Sequence, residues 1–382
     1  MTTVLLTGAT GFIAGAVLAQ GLASGVADRW LCLVRGTDLD RARLRLLGNL
    51  ERFMGHEAAR AAMSAVEVVL GDLADLDRQD DGCLQAVTHV LHLAADTSFR
   101  ARANCHLVNV AGTRALARRA RRMPRLVRFI YGGTAMICGR DAPALVRETD
   151  YPAEGADHLV AYTRSKVDAE NLLRLEFPDL PLVIARPSIV MGHTRLGCGP
   201  SSSIFWMFRA GDRLRLIADD PNGHIDVVPV DWTADMLLGL LLKPSLSHDV
   251  YHLSAGLERR TNWQALGAAF QRCDPAGGAR RYDRIAADDR LALRTRFART
   301  FGLERPVDVA MLRAMRAYYD FGALGVAFAN DRLVAEGLPL PPSLPDYLQV
   351  CLSVPSGLSI IDQFADDLGM FEPHRDPAEV AA

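Results

Sequence analysis

The chain of 382 residues predicts an α/β fold, a doubly wound parallel sheet with a smaller, mostly helical C-terminal region. Apolar runs of strand length alternate with helical stretches as far as about residue 255, and the first run breaks at a pair of glycines. From Arg259 onward the alternation gives way to helical periodicity.

Thr3, Val4, Leu5 and Leu6 form the first buried strand; Gly8 and Gly11 break it, and Phe12 to Ala23 resumes with helical spacing. Strand, glycine turn and helix suit a dinucleotide phosphate, because the turn admits close backbone N–H groups and the helix N-terminus adds partial positive charge. The spacing Gly8-x-x-Gly11-x-x-Ala14 is tighter than G-x-G-x-x-G, and taken alone it also fits plain turn chemistry. Trp30 to Val34 is the second strand and ends in Arg35, at the tip that a Rossmann-type sheet turns toward the adenosine ribose. An acidic residue there would accept from a free 2′-hydroxyl. Arg35, with Arg41, Arg43 and Arg45 on the next helix, suits a 2′-phosphate instead, which favours NADPH/NADP+ over NAD; the same arginines also suit a solvated helix face.

Val66 to Leu70 is the third strand, closed by Gly71-Asp72-Leu73, where the carboxylate either meets the adenine amine or makes an Asx-turn. His89 to Leu93 is the fourth. It runs into Ala94 and Ala95, small enough for the cofactor to lie on the backbone, while His92 reads as packed or turn-bonded. A helix is expected over Arg102 to Arg122. Arg114, Arg118, Arg119, Arg121, Arg122, Arg125 and Arg128 crowd its second half and the next strand, as a solvated face or as a docking surface for an acidic carrier protein or a phosphorylated substrate arm.

The fifth strand, Leu126 to Ile130, delivers Thr134 to the carboxyl end of the sheet, where such folds bind ligands. On the helix expected over His158 to Leu175, Tyr162 and Lys166 stand four apart on one face. A phenol ordinarily titrates near ~10, and a neighbouring ammonium would bring it toward an acid/base range while also holding the nicotinamide ribose. The sixth strand, Leu182 to Ala185, ends in Arg186-Pro187-Ser188, a stiff wall for the nicotinamide. The apolar stretch Ile204 to Phe208 either caps a substrate tunnel or is plain core. Ile225 to Val230 reads as a strand, Asp231 as the N-cap of a helix Trp232 to Leu242, and Val250 to Ser254 as the last strand. Helical patterns cover Arg284 to Phe301 and Val307 to Phe328.

This divides the chain into a nucleotide-binding domain over 1–255, with part of the substrate pocket from about 190–225, a helical substrate-binding region over 256–372 and a disordered tail at 373–382. A hydrophobic fraction of 49% and a net charge of −2 describe an ordinary globule, with no global attraction to nucleic acid or an anionic membrane. Seven scattered cysteines without a C-x-x-C pair indicate neither disulfides nor a metal site and fit a cytoplasmic protein. No apolar run reaches the ~18 residues of a spanning helix. The chain is expected to be a monomer or a dimer.

The T-G-x-x-G-x-x-A turn, Tyr162-x-x-x-Lys166 and the upstream Thr134 together resemble the extended short-chain dehydrogenase/reductase superfamily. The chain is most similar to fatty acyl-CoA reductases and to the thioester reductase domains of carboxylic acid reductases and nonribosomal peptide synthetases. Leu33-Val-Arg35, Ala42-x-x-Arg45-Leu46, His92-x-Ala-Ala95, Asn109-Val-x-Gly-Thr113, Ala185-Arg-Pro-Ser-Ile-Val190 and Asp226-x-Val-Pro-Val-Asp231 carry that similarity over about residues 1–255. It implies Gly8, Thr10, Gly11, Phe12 and Ile13 around the pyrophosphate and Arg35 and Arg45 at the 2′-phosphate. It further implies Asp72 and Leu73 by the adenine, Ala94 and Ala95 along the cofactor, and Lys166, Pro187 and Ser188 by the nicotinamide half. Thr134, Tyr162 and Lys166 form the implied catalytic set. Gly133 departs from the pattern, which has Ser before Thr. The implied reaction is NADPH-dependent reduction of an acyl thioester, on CoA or a carrier protein, to an aldehyde or onward to an alcohol. A ketone or aldehyde reductase of steroid or sugar-nucleotide type would use the same residues, and an NADP-binding regulator would not need them.

Overall fold

The computed structural model describes residues 1–77, 82–97, 105–217, 223–286, 289–353 and 358–367. The tail at 373–382 lies outside the described residues, as do residues 102–104 of the helix expected from Arg102. The chain opens with β1 (Thr3–Thr7), α1 (Phe12–Ser24), β2 (Arg29–Val34), α2 (Leu39–Met54), α3 (His56–Ala62), β3 (Val66–Leu70) and β4 (His89–His92). It continues through α4 (Gly112–Ala120), β5 (Arg128–Gly132), β6 (Leu145–Val146), α5 (Ala161–Glu176), β7 (Leu182–Pro187) and β8 (Ile189–Val190). Next come α6 (Phe205–Leu214), β9 (Leu216–Ile217), β10 (Val227–Val228), α7 (Val230–Leu242), β11 (Val250–Leu253), α8 (Gly256–Arg259), α9 (Trp263–Cys273) and β12 (Asp283–Arg284). The last elements are α10 (Arg290–Phe301), α11 (Pro306–Gly322), β13 (Ala327–Phe328), α12 (Asp331–Ala335), α13 (Leu344–Ser353) and α14 (Ile360–Asp367).

Two compact units result. The first takes Met1–Val190, Asp226–Arg260 and Val326–Leu344; the second takes Met191–Ile225, Thr261–Gly325 and the chain from Pro345. The first unit holds a seven-stranded parallel sheet in the order β11-β7-β5-β4-β1-β2-β3, which is Rossmann-like. Successive side chains on a strand face opposite ways, so its near-continuous apolar strands feed two cores. Val4, Leu6, Trp30, Cys32 and Val34 join α1, α2 and α7 on one face. Leu5, Leu31 and Leu33 join α4 and α5 on the other.

Some elements differ from the sequence expectations. α7 starts at Val230 with Pro229 as N-cap, so Asp231 sits inside the first turn, where its charge still favours the helix dipole. His106–Ala111 forms a π-helical segment ahead of α4. The helix expected through Phe328 stops at Gly322, a left-handed Gly325 follows, and Ala327–Phe328 pairs parallel with β6. Arg284 belongs to β12, paired with β9, and not to α10.

In the second unit, Trp206, Phe297, Met311 and Phe364 centre a core built on α6, α10, α11 and α14. Trp206 meets Phe364 edge-on with ring centroids 4.8 Å apart. Phe205, Trp206 and Phe208 are all buried, as the core reading of this stretch expects, while Ile204 is half-buried. Among the described residues no helix is long and apolar enough to cross a membrane.

Candidate active site

The carboxyl ends of β2, β1, β4, β5 and β7 carry most of the residues singled out in the sequence. At β1, Gly8 has φ +78°, and a Cβ there would stand 2.7 Å from the Ala94 amide nitrogen. Only glycine permits both the left-handed turn and this approach. The Gly11 amide donates to the Gly8 carbonyl at 2.7 Å, and Gly11 begins α1 with no side-chain cap. Thr10 and Gly11 are exposed, and Phe12 and Ile13 half-buried. A cradle that a single Cβ would fill, at the uncapped start of a helix of 13 residues, fits a dinucleotide pyrophosphate. Gly8→Ala is therefore expected to weaken binding of the nicotinamide dinucleotide by about tenfold or more, read by fluorescence titration.

Asn49, which sequence reasoning missed, reaches from α2 and donates through Nδ2 to the carbonyls of Ala9 (2.9 Å) and Gly11 (3.1 Å). Its only sequence signal is a polar residue on the apolar stripe of α2. At the tip of β2 the Arg45 guanidinium donates to the Arg35 carbonyl, so the two arginines are held together and exposed. Asp72, at the neighbouring tip of β3, accepts from the Ala74 amide at 3.0 Å, the Asx-turn geometry. Leu73 is buried against Gly112, where a Cβ would lie 3.1 Å from the leucine Cβ.

His92 ties these loops together. Thr113 Oγ1 donates to the Asn109 carbonyl at 2.6 Å, so toward His92 Nε2, at 2.9 Å, it accepts. The His92 proton is thus on Nε2, and Nδ1 accepts from Thr7 Oγ1 at 2.7 Å. Thr7 Oγ1 in turn accepts from the Ala94 amide at 3.2 Å. Burial, then the charge of Lys166, pushes His92 down to about 3, so the relay is neutral and fixed. Asn109 extends it: Nδ2 donates to the Asp96 carbonyl and to Ser165 Oγ, both at 2.9 Å, while Oδ1 accepts from the Asp96 amide. Ser165 Oγ donates to the Tyr162 carbonyl, so the helix bearing Tyr162 is registered against the β4 loop, which includes Ala95.

Thr134, buried after β5, accepts through Oγ1 from the Met136 amide at 3.3 Å. Tyr162 and Lys166 lie one turn apart on α5. Burial pushes the Tyr162 phenol up and Cys105 adds to this, while a hydrogen bond with the Thr134 side chain pulls it down. The phenol is thus raised, not lowered as the Tyr–Lys spacing suggested, and the Lys166 ammonium donates to the Gly132 carbonyl at 2.7 Å. Burial brings Lys166 down to about 8, with Glu170 opposing. Behind it Glu170 and Arg186, both fully buried, form an ion pair. Arg186 also donates to the Glu148 carbonyl (3.3 Å) and to His252 Nε2 (3.4 Å), and His252 Nδ1 donates to the Ala329 carbonyl at 2.9 Å. Pro187 ends β7, and the Ser188 amide donates to the Leu253 carbonyl at 3.0 Å. A Cβ at Gly133 would meet only ordinary contacts, the nearest Arg186 Cγ at 3.4 Å.

The arginine run is largely committed within the fold. Arg114 pairs with Glu176, Arg121 with Asp179 and Arg122 with Asp77, while Arg128 is buried and donates to the Leu240 and Leu241 carbonyls. Among the described residues no group of three metal-ligating side chains comes together.

A family model described as "Male sterility protein", an NAD-binding domain, matches residues 6–237. The nonribosomal peptide synthetase FrzA of Cladobotryum sp is 27% identical over 267 residues, covering 65% of this chain and 26% of that protein. A Drosophila melanogaster protein named as a fatty acyl-CoA reductase is 27% identical over 277 residues, covering 62% of this chain and 51% of its own length. The chain thus spans at most about half the length of these curated relatives. The crystal structure of the terminal R domain of the myxalamid PKS-NRPS pathway shares the fold, with TM-score 0.74 at 21% identity, covering 93% of this chain and 90% of that one. The family model spans more than half of the chain, and with it and the glycine cradle at β1 the chain belongs to the NAD-binding male sterility protein family.

Proposed function

We propose that the chain reduces an acyl thioester to an aldehyde with NADPH. The observation that supports this is the buried Tyr162 phenol, kept protonated by burial and hydrogen-bonded with Thr134 just after β5. Bound NADPH supplies the hydride. Tyr162 and Thr134 donate to the carbonyl oxygen as negative charge develops on it, and Tyr162 passes its proton there. Lys166 would hold the nicotinamide ribose, and Pro187 and Ser188 would contact the nicotinamide half. Collapse of the resulting hemithioacetal releases the thiol and leaves the aldehyde. Gly8, Thr10, Gly11, Phe12 and Ile13 take the pyrophosphate, and Asp72, Leu73, Ala94 and Ala95 line the adenosine side.

The paired Arg35 and Arg45 support NADPH over NADH, since an exposed guanidinium fork suits a 2′-phosphate. Relatives named as a peptide synthetase and a fatty acyl-CoA reductase support a thioester on a carrier protein or CoA as substrate. The region 256–372, with 190–225, is read as the part that receives the acyl arm. The test is NADPH oxidation with a medium-chain acyl-CoA, run beside NADH, the matching aldehyde and a ketone. Thioester-dependent consumption with free thiol released is the expected result. Turnover of the ketone or aldehyde alone would move the chain to carbonyl reduction.

A further inference from the structure

The Lys166 ammonium has three neighbours besides the helix it sits on. It donates to the Gly132 carbonyl at 2.7 Å, and it lies 4.9 Å from the centroid of the Tyr131 ring. On the third side His92, whose ring centroid is 5.8 Å from that of Tyr131, is neutral. From α5 itself, the Glu170 carboxylate and the Tyr162 phenol face the same space, and Arg186 of β7 is paired to Glu170. Tyr131 is a buried residue on β5, 1% exposed, and its hydroxyl has no hydrogen-bond partner among the described residues. Burying an unsatisfied hydroxyl is costly, so a tyrosine whose phenol bonds to nothing needs another reason to stand there. The ring offers one: its negative face attracts a desolvated cation more strongly than an exposed one.

We propose that the aromatic ring of Tyr131, and not its hydroxyl, is the seat that positions the Lys166 ammonium beside Tyr162. This rests on the reading of Lys166 as a working residue of the site, and it makes Tyr131 a positioning residue that touches neither substrate nor cofactor. Burial strips water from the ammonium and brings it down to about 8; Glu170 opposes that fall, and the ring works in the same direction by stabilising the charged form. Weakening the ring's negative face without changing its shape should therefore make Lys166 easier to deprotonate, whereas a filler of space would be indifferent to it.

The chain contains two lysines, Lys166 and Lys243, so lysine labelled with 15N at Nζ gives two side-chain signals, assigned with Lys243→Arg. Lys166 is then titrated in the wild type, in Tyr131→Phe, and in full-length protein carrying mono-, di- or trifluorinated phenylalanine at position 131. These variants keep the ring's shape, and unchanged thermal midpoints confirm folding. Tyr131→Phe is expected to titrate like the wild type, and the midpoint to fall stepwise, by about half a pH unit or more at the trifluoro ring. The alkaline limb of kcat/KM should move with it. A midpoint that ignores fluorination overturns the proposal, and so does a Tyr131→Phe variant that titrates far from the wild type, since the hydroxyl would then be the working group. The titration needs neither cofactor nor thioester. An inactive chain with a fluorine-dependent Lys166 would thus sink the functional reading alone.

Discussion

Tyr162→Phe is expected to lower kcat by ~10²–10³-fold while leaving the dissociation constant of the nicotinamide cofactor within about twofold. The phenylalanine keeps the ring and the helix and removes only the hydroxyl proposed to donate to the developing oxyanion. Because burial holds the phenol protonated across the ordinary range, the wild-type donor is present at neutral pH. Thr134, hydrogen-bonded to Tyr162, would be left as the remaining hydroxyl at the carbonyl. Stopped-flow single turnovers with acyl-CoA would separate the chemical step from product release. A variant that turned over at near the wild-type rate would remove Tyr162 from the mechanism.

Arg186→Leu is expected to cost ~3–5 kcal/mol of folding stability, because it leaves the Glu170 carboxylate buried and unpaired. It also removes the donor to His252 Nε2 and to the Glu148 carbonyl. The informative companion is Glu170→Leu combined with Arg186→Leu, which removes both charges at once and should lose less than Arg186→Leu alone. Urea midpoints of the single and double variants decide this. Equal losses would mean that the arginine acts through packing and its carbonyl contacts and not through the ion pair.

Much of this architecture was legible because it is written locally. β3 follows the predicted Val66–Leu70 run, and β1, β2, β4 and β7 differ by a residue or two at their ends, since four to six apolar residues between turn signals admit little else. The glycine turn and the Tyr162–Lys166 spacing were equally local, and both lie at the carboxyl side of the sheet. What escaped were partners distant in sequence. His92 meets Thr7 across 85 positions and Arg186 meets His252 across 66, and no periodicity encodes either pair. Asn49 and Tyr131 each read as an ordinary helix or strand residue until the neighbouring backbone is in view. The two-residue strands β6 and β13 are too short to show alternation, and so the run to Phe328 read as one helix. Asp231 had the composition of a cap and the wrong position by two residues, with Pro229 supplying the extended backbone that starts α7.

The return of Val326–Leu344 to the first unit bears on how that unit is made. The carbonyl that receives His252 belongs to Ala329, and Asn330 Nδ2 donates to the Ser254 carbonyl, yet more than sixty residues of the second unit intervene. On a ribosome the sheet from β1 to β11 is complete in sequence long before these late partners emerge. The edge around β11 must therefore wait for chain made about seventy-five residues later, and closing so long a loop is the kind of step that slows folding and lengthens exposure to chaperones.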